Sequence, residues 1–266
     1  MSRMGHMERS TRGIDYQDVP RPIAGLSTEY PAGFVDPLHS HTRGQLTYHE
    51  SGVCVVTTRE ASFVVPPGKA MWIPPGVEHE VSCRSNLATT VLYIRGDARP
   101  DLPRQCRLIP VSRLMAGLIA EASQVPIDYD VAGRDGRVMQ LLLDEIGPTA
   151  APSISAPMPR NRALARICSA ILRDPAANDD LDDWAQEAGM GRRTFTRQFR
   201  RETGVSFAAW RQNVRLMEAI ALMAAGRSVT SVAFDVGYSS PSAFTAMFRR
   251  AFGVAPTAYL SPALQS

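Results

Sequence analysis

The stretch 181-LDDWAQEAGMGRRTFTRQFRRETGVSFAAWRQNVRLMEAIALMAAGRSVTSVAFDVGYSSPSAFTAMFRRAFGVAPTAYL-260 contains one unit twice, and its reading decides the second half of the chain. In the first copy Leu181, Trp184, Ala185 and Ala188 precede Gly189, and Phe195, Phe199 and Gly204 follow. In the second, Val229, Val232, Ala233 and Val236 precede Gly237, and Phe244, Phe248 and Gly253 follow. The copies are offset by 48 residues as far as the glycine and by 49 after it, so the second turn carries one added residue. Apolar positions at i, i+3, i+4 and i+7 bury one face of a first helix, and phenylalanines at i and i+4 bury one face of a second. Gly189 and Gly237 stand where the chain reverses, which calls for a residue that adopts positive φ without steric cost.

Two short helices around a glycine are the grammar of a helix-turn-helix, whose second helix enters the major groove of DNA. With Phe195 and Phe199 inward, the first reading helix presents Arg192, Arg193, Thr194, Thr196, Arg197 and Arg200. Arginine forks onto guanine edges or phosphates. With Phe244 and Phe248 inward, the second presents Ser240, Pro241, Ser242, Thr245, Ala246 and Arg249, which suit phosphates or thymine methyls but offer few bidentate partners. The first head is expected to specify and the second to position. Between them Phe207 to Met223 reads as one longer helix with Trp210, Val214, Met217, Ile220 and Ala221 inward, setting the separation of the two heads.

Charge follows the repeat. Residues 1–155 hold 15 Arg+Lys against 17 Asp+Glu, whereas residues 156–266 hold 14 against 9, a net of +5 where a phosphate-binding surface is needed. At 266 residues the chain has the length of two domains. No apolar run reaches the length of a membrane span and MSRMGHMERS has no apolar signal core, so a cytoplasmic protein without a membrane partner is expected. Cys54, Cys83, Cys106 and Cys168 show neither CxxC nor zinc-finger spacing, and are read as reduced and mostly buried.

The first half has a different texture. Residues 1 to about 13 read as a tail. From Pro20 to Ile94 short β-like runs (Gln45–Tyr48, Val53–Thr58, Ser62–Val65, Thr89–Ile94) alternate with turns at Pro31-Ala32-Gly33, Pro66-Pro67-Gly68 and Pro74-Pro75-Gly76, the pattern of a sandwich or small barrel. After Pro110 the period becomes helical: Val111, Leu114, Met115, Leu118, Ile119 and Ala122, then Val138, Leu141, Leu142 and Ile146. These helices either pack on the barrel or pair with their copies in a homodimer. Pro148, Pro152, Pro157 and Pro159 mark residues 148–159 as a linker. Leu164, Ile167, Cys168 and Ile171 then form a helix ending near Asp174-Pro175, and Asp179 or Asp180 caps the next.

Residues 181–260, including GYSSPSAFTAMFRRAFGVAPTAYL, resemble the DNA-binding region of AraC/XylS-type bacterial transcription regulators. Gly191 stands where that family commonly has a serine cap, and Ala246 where it often has arginine, which weakens the second head's reach to bases. Gly33-x5-His39-x-His41-x3-Gln45-x6-Gly52 and Gly68-x5-Pro74-x-Gly76-x2-His79 are similar to the two cupin motifs, with Gln45 in place of the usual Glu. The resemblance implies an α+β two-domain fold. Residues 14–100 would form a cupin-like β-barrel sensor (a double-stranded β-helix), 108–147 connecting helices, 148–159 the linker, and 160–263 an all-α DNA-binding domain with two helix-turn-helix units.

His39 and His41, two apart on a strand, can both point into the barrel, with His79 and the Gln45 carbonyl completing a site. Three imidazoles suit Zn²⁺, Ni²⁺, Cu²⁺ or Fe²⁺, and the missing carboxylate lowers ligand charge. Three readings stay open: a sensor of a small-molecule effector with or without a divalent transition metal, a cupin-type metal-dependent oxygenase or isomerase, or histidines hydrogen-bonded in a polar barrel. The resemblance favours a non-enzymatic sensor that moves the connecting helices and so the paired heads on double-stranded DNA, with RNA polymerase as a further partner.

Overall fold

The computed structural model describes residues 12–147, 155–177 and 179–259. Two five-stranded antiparallel sheets face each other in the first half. One has the order β1 (Ile23–Tyr30), β8 (Leu87–Ile94), β3 (Gly44–Ser51), β6 (Ala70–Ile73), β9 (Arg107–Ile109). The other has the order β10 (Ser155–Pro157), β5 (Ala61–Val65), β4 (Cys54–Thr58), β7 (His79–Cys83), β2 (Val35–His39). Gly33, Gly68 and Gly76 adopt φ of +81°, +72° and +76°, as their turns require. Between the sheets lie Cys54, Val56, Phe63, Val65, Met71, Ile73, Cys83, Leu87 and Leu108.

Strand alternation gives each sheet a second face. On β3, Leu46 and Tyr48 point out of the barrel and join a separate core with Trp72, Leu92 and Ile94. That core is closed by α1 (Arg113–Ala122) and α2 (Arg134–Glu145) through Met115, Leu118, Ile119, Met139, Leu142 and Leu143. The apolar stripe of both helices is thus spent on the barrel. Leu114 and Leu141, expected in the same stripe, stay 51% and 42% exposed.

Among the described residues the second half forms seven helices: α3 (Arg162–Arg173), α4 (Leu181–Glu187), α5 (Arg192–Thr203), α6 (Phe207–Ala224), α7 (Val229–Asp235), α8 (Pro241–Phe252) and α9 (Pro256–Tyr259). Asn161, Asp180, Ser206, Ser228 and Ser240 cap their helices with side-chain acceptors, and Asp180 completes a capping box with Asp183. Gly189 and Gly237 turn at φ of +67° and +81°.

Three expectations are corrected. The segment read as linker ends in a strand: Ser155–Pro157 pairs with Phe63–Ala61 at the edge of the second sheet. An edge position tolerates Pro157, which has no N–H to donate inward. His41 is not on a strand, because β2 stops at His39. The connecting helices do not stand between sensor and reader. The reader's core takes in Val53, Val64 and Ala156, so it sits on the second sheet, while α1 and α2 cover the first. Of the expected tail, residues 1–11 lie outside the described residues, as do 148–154 of the expected linker; Gly13–Tyr16 forms a short 3-10 turn against β1 and β8.

Candidate effector cavity and DNA interface

Inward-facing residues of β1, β3, β4, β7 and β8 enclose a cavity of about 310 Å³ between the sheets. Its apolar wall includes Leu26, Phe34, Val56, Ile73, Val81 and Val91; its polar groups include Gln45, Thr47, His49 and Thr89. Gly13 and Ile14 complete the wall at the N-terminal turn. That segment is held by Arg43, 4% exposed, whose guanidinium donates to the carbonyls of Gln17 (2.8 Å), Arg21 (3.0 Å) and Val19. A mostly apolar cleft with a few convergent polar groups is the form of a small-molecule site.

His39 and His41 line the cavity, and His79 stands against both of their rings. His39 and His79 are register partners across β2 and β7, with ring centroids 4.4 Å apart, and His41 approaches both from the loop after β2. One nitrogen from each of the three rings lies within 4.8 Å of the others. His39 Nδ1 donates to Pro37 O at 2.7 Å and His79 Nδ1 to Val77 O at 2.9 Å. A carbonyl can only accept, so both rings carry the proton on Nδ1 when neutral and present Nε2 as a lone pair, the second-shell arrangement that orients metal-ligating histidines. His79 Nε2 and Gln45 Oε1 are buried without a hydrogen-bond partner among the described residues. His39 Nε2 is 3.2 Å from His41 Nε2, a spacing that requires a proton or a cation between them.

Burial, then the neighbouring His39 and His79, lowers the His41 pKa to about 4, and burial chiefly lowers that of His79. Both shifts favour the neutral imidazole; His79 Nε2 then stands as an acceptor, while the His41 Nε2 edge meets the His39 Nε2 lone pair. Gln45 donates Nε2–H to Thr47 Oγ1 at 3.0 Å, leaving its carbonyl free. Asp36, missed by the sequence reading, lines the cavity with a carboxylate oxygen 3.7 Å from His39 Nε2. The residues fit a divalent transition metal, which His39, His41 and His79 would hold and which would act as a Lewis-acid anchor for a ligand.

In the reader, Phe195 and Phe199 are fully buried and pack edge-on against Phe207, 4.9 and 5.2 Å between centroids. This leaves Arg193, Thr194, Arg197 and Arg200 exposed. Arg192, also exposed, is engaged with Asp182 of α4 at 2.9 Å. Thr196 is partly buried and its hydroxyl donates back to Arg192 O at 3.0 Å, so it offers an acceptor outward. On α8, Phe244 and Phe248 are fully buried, Ser242, Ala246 and Arg249 exposed, and Pro241 and Thr245 partly so. The Ser240 hydroxyl is occupied as the helix cap, accepting from Ala243 N–H at 3.2 Å.

The two regions touch through β10 and the outer face of the second sheet. Trp210 Nε1 of α6 donates to Pro157 O at 2.7 Å and Asn213 Nδ2 to Ser155 O at 3.0 Å. Arg84 reaches Glu218 of α6 at 3.8 Å. Val55, Thr57, Glu80 and Ser82 face Val214 and Met217 of α6 across a cleft, while the alternate residues Cys54, Val56, Val81 and Cys83 line the cavity.

Known proteins agree with this division. Residues 22–150 match the AraC-like ligand binding domain family and residues 184–261 the helix-turn-helix domain family. The HTH-type transcriptional regulator NimR of Escherichia coli (strain K12) is 30% identical over 225 residues, covering 85% of this chain and 82% of that protein. The HTH-type transcriptional activator RhaS of Escherichia coli O139:H28 is 25% identical over 242 residues, covering 83% and 86%. A solved DNA-binding domain of the transcriptional factor AdpA, in complex with a target DNA, is 35% identical over 36% of this chain and 87% of that one, with a TM-score of 0.35. Among the described residues no helix is long and apolar enough to cross a membrane. The chain belongs to the AraC family of transcription regulators, with a ligand-binding domain ahead of a helix-turn-helix DNA-binding domain.

Proposed function

We propose that a small molecule of mixed polarity, anchored at His39, His41, Gln45 and His79, alters DNA binding through β4 and β7. The observation that carries this reading is their alternation: every second residue faces the cavity and the others face the reader's central helix. A ligand that binds one placement of these strands better than another shifts α6, and with it the two heads, by its differential affinity. We take α5 to specify sequence through Arg193, Arg197 and Arg200, and α8 to position the reader through Ser242, Thr245 and Arg249. The assembly is a cytoplasmic homodimer that contacts RNA polymerase and carries no catalysis of its own; the outward Leu114 and Leu141 support a second copy against α1 and α2.

Genome-wide mapping of bound DNA tests the reading and names the regulated genes. Wild type is expected at discrete sites that Arg197→Ala loses; sites unchanged in the variant would remove α5 as the specifying head. For the metal, elemental analysis of wild type beside His39→Ala decides, and equal content in both eliminates the site.

A further inference from the structure

Two cysteines far apart in sequence face each other across the cavity wall. Cys54 of β4 and Cys83 of β7 are register partners. Cys83 spends both backbone groups on the opposite side: its N–H donates to Phe34 O and its carbonyl accepts from Gly33 N–H, each at 2.9 Å. Toward β4 the pair is therefore non-hydrogen-bonded, the kind in which Cα atoms approach to about 4.5 Å and side chains stand closest. A disulfide spans Cα separations of roughly 4.4–6.8 Å, so the ladder can accept one with little backbone movement. Opposed residues project to the same face, and both thiols line the cavity while being 1% and 2% exposed.

A base stands beside one of them. His49 Nδ1 donates to Val65 O at 3.2 Å, which leaves Nε2 as an acceptor, 3.6 Å from Cys54 Sγ. The Cys54 S–H thus points at an imidazole whose tautomer is fixed by the backbone, the arrangement that activates a thiol nucleophile. Burial raises the Cys54 thiol well above the ordinary range and the Cys83 thiol to about 11, and it lowers His49 to about 4. At rest the proton stays on sulfur and His49 is neutral; the proton moves only as sulfur forms a new bond. Cys168 belongs to the reader's core, and Cys106 packs against the same inter-sheet core as Cys54 and Cys83 but is not among the residues lining the cavity.

We propose that Cys54, Cys83 and His49 form a peroxide-reactive dithiol inside the cavity that closes to a cross-strand disulfide. Cys54 Sγ attacks the terminal oxygen of a small hydroperoxide. The S–O bond forms as O–O breaks, and the thiol proton passes through His49 Nε2 to the departing oxygen. An alcohol, or water from hydrogen peroxide, leaves, and Cys54 becomes a sulfenic acid. Cys83 Sγ then attacks the Cys54 sulfur; S–S forms, S–O breaks, and the Cys83 proton departs with the hydroxide as water. The two thiols lose two electrons and the peroxide gains them. Arg84, adjacent to Cys83, meets Glu218 of α6, so the bridge forms one residue from the reader. The consequence for DNA binding rests on the coupling proposed above; the bridge itself does not.

The test exposes the full chain to graded hydrogen peroxide, alkylates free thiols under denaturing conditions and maps the peptides by mass spectrometry. A reductant-sensitive link between the Cys54 and Cys83 peptides is expected, with Cys106 and Cys168 alkylated. Cys83→Ser should accumulate a dimedone-reactive sulfenic acid at Cys54, Cys54→Ser none at Cys83, and His49→Gln should slow bridging about 100-fold. Four free cysteines in wild type after exposure that fully oxidises glutathione, or oxidation at Cys106 or Cys168 instead, overturns the proposal. A bridge that forms without changing DNA affinity upholds the dithiol and overturns the coupling through β4 and β7. If no bridge forms, the dithiol falls and the DNA-reading assignment is untouched.

Discussion

In the first reading head α5 starts at Gly191 with no side-chain cap and with Arg192 and Arg193 in its first turn; in the second, α8 starts at a capped Ser240 followed by Pro241. Both end on a left-handed glycine, Gly204 and Gly253, at φ of +78° and +77°, and both bury two phenylalanines completely. Their interiors are duplicates and their surfaces are not. Arginines at the positive end of a helix dipole cost that helix stability, and among the described residues only Arg192 of the two is offset by a carboxylate, Asp182. A phosphate bound there would relieve the remainder. The well-capped α8 has no such tension and little to offer a base edge. The difference separates what holds the two helices of each unit together from what each unit exposes.

The comparison breaks first at the core, where the heads should be equal. Phe199→Ala and Phe248→Ala should each cost about 3–5 kcal/mol of stability in denaturant unfolding. A several-fold inequality between them would show that the interiors are not equivalent. On DNA the heads should differ. Arg197→Ala is expected to lose about 1–3 kcal/mol of specific binding and to relax preference at one base position, whereas Arg249→Ala should weaken all sequences alike and lower the salt slope by about 1. The division of labour fails if the two variants exchange these behaviours. The smallest effects lie at the caps. Ser240→Ala should cost about 1 kcal/mol, while Gly191→Ser should gain only a few tenths, both read from thermal unfolding. A gain at Gly191 that also lowered DNA affinity would sharpen the case that α5 keeps an open first turn for its ligand.

The repeat was legible because a 3.6-residue period, glycines at forced turns and buried aromatics all lie within short stretches of chain. The barrel was legible in part. Gly33, Gly68 and Gly76 announced their turns, but β2 (VDPLH) carries proline and aspartate on an edge, and β6 is only four residues. β10 was hidden by the prolines that made its segment resemble a tether. His39, His41 and His79 could be grouped from motif spacing, although His41 reaches the others from a loop. The Cys54–Cys83 pairing had no local trace, because the register between β4 and β7 is set by hydrogen bonds that skip 29 positions of sequence. The position of the connecting helices was hidden for the same reason: although adjacent in sequence to the reader, they pack on the far sheet.

Ser155–Pro157 also dictates how this protein can be cut. Its strand completes the sensor's sheet, yet its carbonyls satisfy Trp210 and Asn213 of the reader, and Ala156 is buried in the reader's core. A reader fragment beginning at residue 160 would strand the Trp210 indole without its acceptor, at a cost of about 1–3 kcal/mol. One beginning before Ser155 would carry a lone strand in search of an edge, an invitation to aggregate. The three residues belong to two domains at once, so neither fragment comes away whole.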